Sequence, residues 1–313
     1  MPNDLNATPF QGVWVDVLTP LQEDLKIDET KLCAHLRNLS AKGLEHFVLF
    51  GQAGEGSSFS ADEKLSAAAH VISIGVETNH LLLGVQSSSF SEVAQFIHKA
   101  HALGVRKFLV SAPQYGLPFS HIALFDYFDQ LIKQVNLQDW QLFIHQLGGN
   151  NHSADLPEVS LADLRKTHPH TFVGIVDQDI HVNHTVDLMR TFGTELAIAS
   201  CHEPNLSILK PTFCVSALAN VIPKIMQHLM VKETTTQAVQ IAGMKVAKPD
   251  DRMMELMTLL GNYPAIAALK LMLSQHYRIE SWQYVRPPQP TMTQELSVAL
   301  LGSFKTFNLQ ANE

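Results

Sequence analysis

The sequence predicts an α/β protein folded as a single (β/α)8 TIM barrel with extra C-terminal helices. Three observations predict it. Eight short apolar runs recur along the chain, each is followed by an amphipathic stretch, and no low-complexity or Pro/Gly/Ser-rich linker splits the 313 residues. Continuous apolar runs, rather than alternating ones, suit parallel strands covered on both faces. Eight strand–helix alternations with short connections suit a closed parallel barrel better than an open sheet. The barrel is placed at residues 1–221, with a helical extension at 222–313 packed on it as one structural unit.

The runs, in order, are Val13–Leu18, Phe47–Phe50, Leu81–Val85, Phe108–Ala112, Leu142–Ile144, Phe172–Val176, Leu196–Ser200 and Phe213–Ala217. Between the first two, residues from Asp28 repeat apolar side chains at helical spacing and stop near Gly43. Ser60-Ala-Asp-Glu63 has capping-box spacing and opens the next helix. Ser160 begins another. From about residue 222 onward the pattern is helical, interrupted by Arg286-Pro-Pro-Gln-Pro290.

Composition narrows the function. With 46% hydrophobic and 17% charged residues the chain has ample core material and is not a disordered type. A net charge of -8 argues against nucleic acid or an anionic membrane as partner. Cys33, Cys201 and Cys214 are few and lack CxxC spacing, which points to a reduced, cytoplasmic protein. The first residues have neither a basic start nor an apolar run, so no signal peptide is expected.

Five segments carry a family resemblance. Phe50-Gly-Gln-Ala-Gly-Glu-Gly56, after the second run, resembles the GTTGE loop of the dihydrodipicolinate synthase and N-acetylneuraminate lyase family. Ser111-Ala-Pro-Gln-Tyr-Gly-Leu-Pro118 is similar to its TPYYxxP segment, and Gly12–Pro20 to its opening strand. Tyr263–Lys270 and Arg286–Pro290 resemble its NPxPxK helix and the linker that follows. Together they span about residues 10 to 305 in order. The resemblance implies a lyase-like barrel, a small-molecule ligand and a homodimer or homotetramer, with Tyr115 at or near a subunit contact.

The family's chemistry also implies a lysine at the end of strand six that forms a Schiff base with a 2-keto acid. Val176, in Val173-Gly-Ile-Val-Asp177, stands there, and no lysine occurs from Thr167 to Leu209. The family's proton-relaying tyrosine aligns with Ile144, and its threonine pair with Gln52 and Ala53. These losses mark a pseudoenzyme candidate for which Schiff-base lyase or synthase activity is not expected.

A different polar set replaces that machinery. His145, Asp177, His202, Glu203 and Tyr115 are the candidate catalytic residues, none of them assigned a step. Gln52, Ala53, Glu55, Tyr115, His145, Asp177 and His202 are the candidate ligand-binding residues for a small anionic or hydroxylated molecule. The amides around Gly51–Glu55 offer an anion nest. His145, His202 and Glu203 are of metal-ligand type, but their spacing matches no compact motif, so neither metal nor cofactor is expected. Bland roles compete with each of these. Asp177 suits a loop amide or helix N-terminus, Glu55 suits holding its own loop, and Cys201 suits a small buried side chain. The alternative function is a lysine-independent, metal- or acid/base-dependent aldolase, lyase or hydratase.

Overall fold

The eight apolar runs become eight parallel strands, hydrogen-bonded in sequence order and closed into a barrel. The structure, a computed structural model, describes residues 10–114, 118–148, 155–230, 240–241, 244–245 and 249–307. The strands are β1 (Gly12–Asp16), β2 (His46–Leu49), β3 (Leu81–Val85), β4 (Lys107–Val110), β5 (Gln141–Gln146), β6 (Phe172–Asp177), β7 (Ala197–Ser200) and β8 (Phe213–Ser216). Each begins and ends within two residues of its run. Helices follow the strands in turn: α1 (Glu29–Ala41), α2 (Ala61–Ser73), α3 (Phe90–Ala102), α4 (His121–Val135), α5 (Glu158–Thr167), α6 (Val182–Phe192), the short α7 (Leu206–Leu209) and α8 (Pro223–Met230). The extra helices are α9 (Pro249–Leu260), α10 (Ala265–Tyr277) and α11 (Gln294–Phe307).

The helix starts obey local chemistry. Asp28 caps α1 by accepting from the Lys31 N–H at 3.0 Å. The capping box of α2 is complete, with Ser60 and Glu63 each accepting from the other's backbone N–H. Helix α5 starts earlier than the sequence indicated: Pro157 precedes Glu158, and Ser160 instead donates its hydroxyl to the His121 carbonyl at 3.0 Å. No single helix among the described residues is long and apolar enough to cross a membrane.

The chain falls into two compact units, Met1–Gly12 with Glu77–Val215, and Val13–Val76 with Ser216–Glu313. In the first, the rings of Phe143 on β5 and Phe213 on β8 lie 6.4 Å apart although their strands are not neighbours, so they meet through the barrel interior. Phe10 packs edge-on against Phe143 at 4.7 Å and adds to this plug. That contact fixes which strand faces look inward, because side chains alternate. On β5 the inward residues are Phe143 and His145. Their partners on β6 are Gly174 and Val176, and the partners of those on β7 are Ala197 and Ala199. A Cβ on Gly174 would lie 2.4 Å from the Phe143 ring, so only glycine leaves that ring its place. Ile144, Ile175 and Asp177 lie on the opposite face, toward the helices.

In the second unit a buried network ties α1 to the ends of the chain segment that follows β8. The His35 imidazole lies 2.9 Å from both the Tyr277 hydroxyl and Asn220 Oδ1. Asn220 in turn accepts from the Leu18 N–H and donates to the Asp16 carbonyl. Burial pushes the His35 imidazole down to about 4, so it is neutral at ordinary pH.

Candidate functional site

Strand β5 brings an inward polar side chain, His145, to the level of Val176, where the family resemblance implies a lysine. The register pairs His145 with Val176 and places Ala199 beside Val176 on the far side. Ile144, aligned above with the tyrosine, is instead on the outward face. The inward position opposite Val176 belongs to His145. Val176 is 0% exposed and offers only methyl groups.

His145 is itself only 4% exposed. Its Nε2 lies 3.0 Å from Gln178 Oε1, so the ring proton sits on Nε2 and donates to that amide oxygen. Nδ1 then carries a lone pair, and among the described residues it has no hydrogen-bond partner. Burial pushes this imidazole down to about 4, although Gln178 and Asp177 pull the other way. His145 is thus a neutral ring whose open nitrogen is an acceptor.

Asp177 takes its bland role. It is 0% exposed and faces outward, where its carboxylate accepts from Thr185 Oγ1 at 2.5 Å and from the Asp179 N–H at 3.2 Å. His184 Nδ1 lies 3.0 Å from Oδ1, and this contact raises the His184 pKa, against the opposing effect of burial. All of these partners come from the loop after β6 and from α6, so the carboxylate fastens α6 to its strand. His202 follows β7, with its N–H donating to Ser200 Oγ; burial lowers its pKa, and its Nδ1 has no partner among the described residues. Glu203 is buried in the turn that follows. Among the described residues no three His, Cys, Asp or Glu side chains gather as a metal-binding group, so His145, His202 and Glu203 do not form one. Tyr115 lies outside the described residues.

The loop resembling GTTGE belongs to the second unit and is held from within. Glu55 adopts a left-handed conformation, φ 55°, and is buried. Its Oε1 accepts from Lys270 Nζ at 2.6 Å and its Oε2 from the Arg286 N–H at 2.8 Å. Both oxygens are engaged, which is the loop-holding role. Arg286 also forks onto Glu63 and holds that carboxyl down at about 2. Gln52 is exposed on the loop.

Sequence reasoning missed the most telling residue here, Asp16. It closes β1, and its Oδ2 accepts from the Ala53 N–H at 2.9 Å. Gly51 lies so close that a Cβ there would fall 2.3 Å from Asp16 Oδ1. The Ala53 amide of the expected anion nest is therefore already engaged by a carboxyl group of the chain itself. The visible signal was a lone charge inside the apolar run Val13–Leu18. Gln178, which fixes the His145 tautomer, was also missed, and nothing in the sequence set it apart.

The comparisons with known proteins agree with this architecture. The family model described as the dihydrodipicolinate synthetase family matches residues 9–302. A 4-hydroxy-tetrahydrodipicolinate synthase of Agrobacterium fabrum is 22% identical over 271 residues, covering 85% of this chain and 88% of that protein. The crystal structure of dihydrodipicolinate synthase from Agrobacterium tumefaciens matches with a TM-score of 0.83 at 22% identity, over 95% of this chain and 99% of that one. The N-acetylneuraminate lyase of Proteus mirabilis matches with a TM-score of 0.80 at 18% identity, over 96% of this chain and 100% of that one. At such identities the two structures speak for the fold alone. The family match over nearly the whole length decides the rest: this chain belongs to the dihydrodipicolinate synthetase family.

Proposed function

We propose that this protein binds a small anionic or hydroxylated molecule at the C-terminal ends of β4 to β7 and does so without Schiff-base chemistry. One observation carries the reading: the inward position at which the family resemblance implies a lysine is Val176, buried beside Ala199 and opposite His145. An amine must be held within about 3–3.5 Å of the keto carbon to react, and strands β5 to β7 supply none. Lys107, on β4, stands at the strand's opposite end, where its Nζ donates to the Asn79 carbonyl beside the Phe10 ring. His145, His202 and Tyr115 are the residues we place at the ligand.

Borohydride reduction in the presence of pyruvate or N-acetylneuraminate tests the reading. No covalent adduct is expected by intact mass. A single-site adduct mapped to any lysine would overturn it.

A second reading has one observation in its favour, the Nδ1 of His145, which carries a lone pair and has no hydrogen-bond partner among the described residues. The protein would then be a lysine-independent aldolase, lyase or hydratase. Exchange of a ligand's carbon-bound hydrogen into deuterated water, lost in His145→Phe, would decide for it.

A further inference from the structure

We propose that His184 is a proton-operated latch: its imidazolium holds the loops after β5 and β6 and the start of α6 together as one block, and its deprotonation loosens all three. The inference concerns the free protein and stands apart from what the protein binds.

The latch is a chain of contacts within the first unit. Asp155 accepts from the Leu147 N–H at 2.6 Å and from the Gly148 N–H at 2.9 Å, which pins the loop after β5. Gly148, at φ 63°, lies against the loop after β6, where a Cβ would fall 2.7 Å from Asp179 Cα. Asp179 is buried; its N–H donates to Asp177 Oδ1, and its own Oδ1 accepts from the His181 N–H at 2.7 Å. Asp177 closes the chain by holding His184 and Thr185 of α6. Three carboxylates thus pin three segments. The His184 side chain, 33% exposed, feels the charge of all three.

That charge decides how tightly the chain holds. The hydrogen bond to Asp177 raises the His184 pKa above 6.5, burial opposes the rise, and the charges of Asp177, Asp179 and Asp155 add to it. The elements packed on α6, β7 and α7, carry no ionisable side chain, and the flanking turns carry His181, His202 and Glu203. On α6 itself Asp187 and Arg190 pair with each other, and Arg165 of α5 pairs with Glu195 beyond the helix's C-terminal end. The protonated ring therefore offsets carboxylate charge gathered at the junction. Once the proton leaves, an Nδ1–H can still donate to Asp177, but the carboxylates are left to repel one another. Because the folded pKa is the higher one, the latch is fully engaged below pH 6.5 and is released as pH rises through the folded value. Gln178 sits between Asp177 and Asp179, so the latch also governs how firmly its amide oxygen holds the His145 Nε2–H.

Amide hydrogen exchange of the full chain from about pH 5.5 to 8.5 tests the inference, with ring-nitrogen spectra reading the His184 pKa directly. Protection factors, which remove the intrinsic pH dependence of exchange, should fall together at Leu147, Gly148, Gln178, Asp179 and His181. The loss should be about tenfold for each step of one by which the measured His184 pKa stands above 6.5. The His145 Nε2–H should exchange faster over the same range, while the amides of β3 keep their protection. In His184→Asn, whose Nδ2 takes the place of Nδ1 without its charge, the five amides should stay at the high-pH level throughout. The inference is wrong if His184 titrates at or below 6.5, if the five amides loosen at different pH values or not at all, or if β3 loses protection by the same factor. It is equally wrong if His184→Asn keeps the full pH dependence. A borohydride adduct with a keto acid would sink the proposed function and leave the latch standing.

Discussion

Removing the amine of Lys270 should loosen the Gly51–Gly56 loop of the second unit before it does anything else. Lys270 on α10 and Glu55 are both fully buried, 2.6 Å apart. Burial lowers the Lys270 pKa and the Glu55 charge opposes that shift, so the ammonium depends on its partner. In Lys270→Met, Glu55 Oε1 loses its partner and only the Arg286 N–H remains, on the other oxygen. Leaving one charge of a buried pair uncompensated costs about 3–5 kcal/mol. Glu55→Gln combined with Lys270→Met removes both charges, so its loss should fall short of the summed single losses by about 2 kcal/mol or more. Urea denaturation of the four proteins measures the cycle. Amide hydrogen exchange at Gly51–Gly56 should also accelerate in Lys270→Met, because Glu55 is what joins that loop to α10. A Lys270→Met protein within about 1 kcal/mol of the parent, or purely additive losses, would refute the reasoning.

Three further outcomes are expected. His35 and His145 each have a folded pKa of about 4 against 6.5 when free, so the unfolded chain binds more protons in that window and stability falls as pH drops through it. From pH 7 to 5 each should remove about 2 kcal/mol, and urea midpoints for His35→Gln should show the shallower pH slope. Val176→Lys alone should trap pyruvate weakly at most. Adding His145→Tyr should raise the yield more than adding Ile144→Tyr, and mass spectrometry after borohydride reads the order. The protein is expected to be a homodimer or homotetramer, and a monomer by light scattering at micromolar concentration would contradict this.

The barrel was legible because its strands are apolar on both faces. Runs such as Leu81–Val85 announce themselves without any need to know which side faces in. The same property hid the site. With no alternation to read, nothing separated Ile144 from His145, and one residue of slip exchanges the two faces of a strand. Only a contact across the interior, Phe143 against Phe213, fixes the parity. Asp177 was legible as an acid at a strand end, but its orientation was not: it faces away from the barrel interior, where Thr185 and His184 of α6 claim it. The Glu55–Lys270 pair spans 215 residues of sequence separation, a distance that no local pattern bridges.

Gly51 and Asp16 set an order on any attempt to rebuild this barrel toward its relatives' chemistry. Their atoms leave no room for a side chain at position 51, since a Cβ would fall 2.3 Å from the carboxylate. While Asp16 stays, a threonine introduced at Ala53 would still find its own amide taken. The first step of such a route is therefore at the end of β1. Libraries that hold position 16 constant would search a landscape with that step removed.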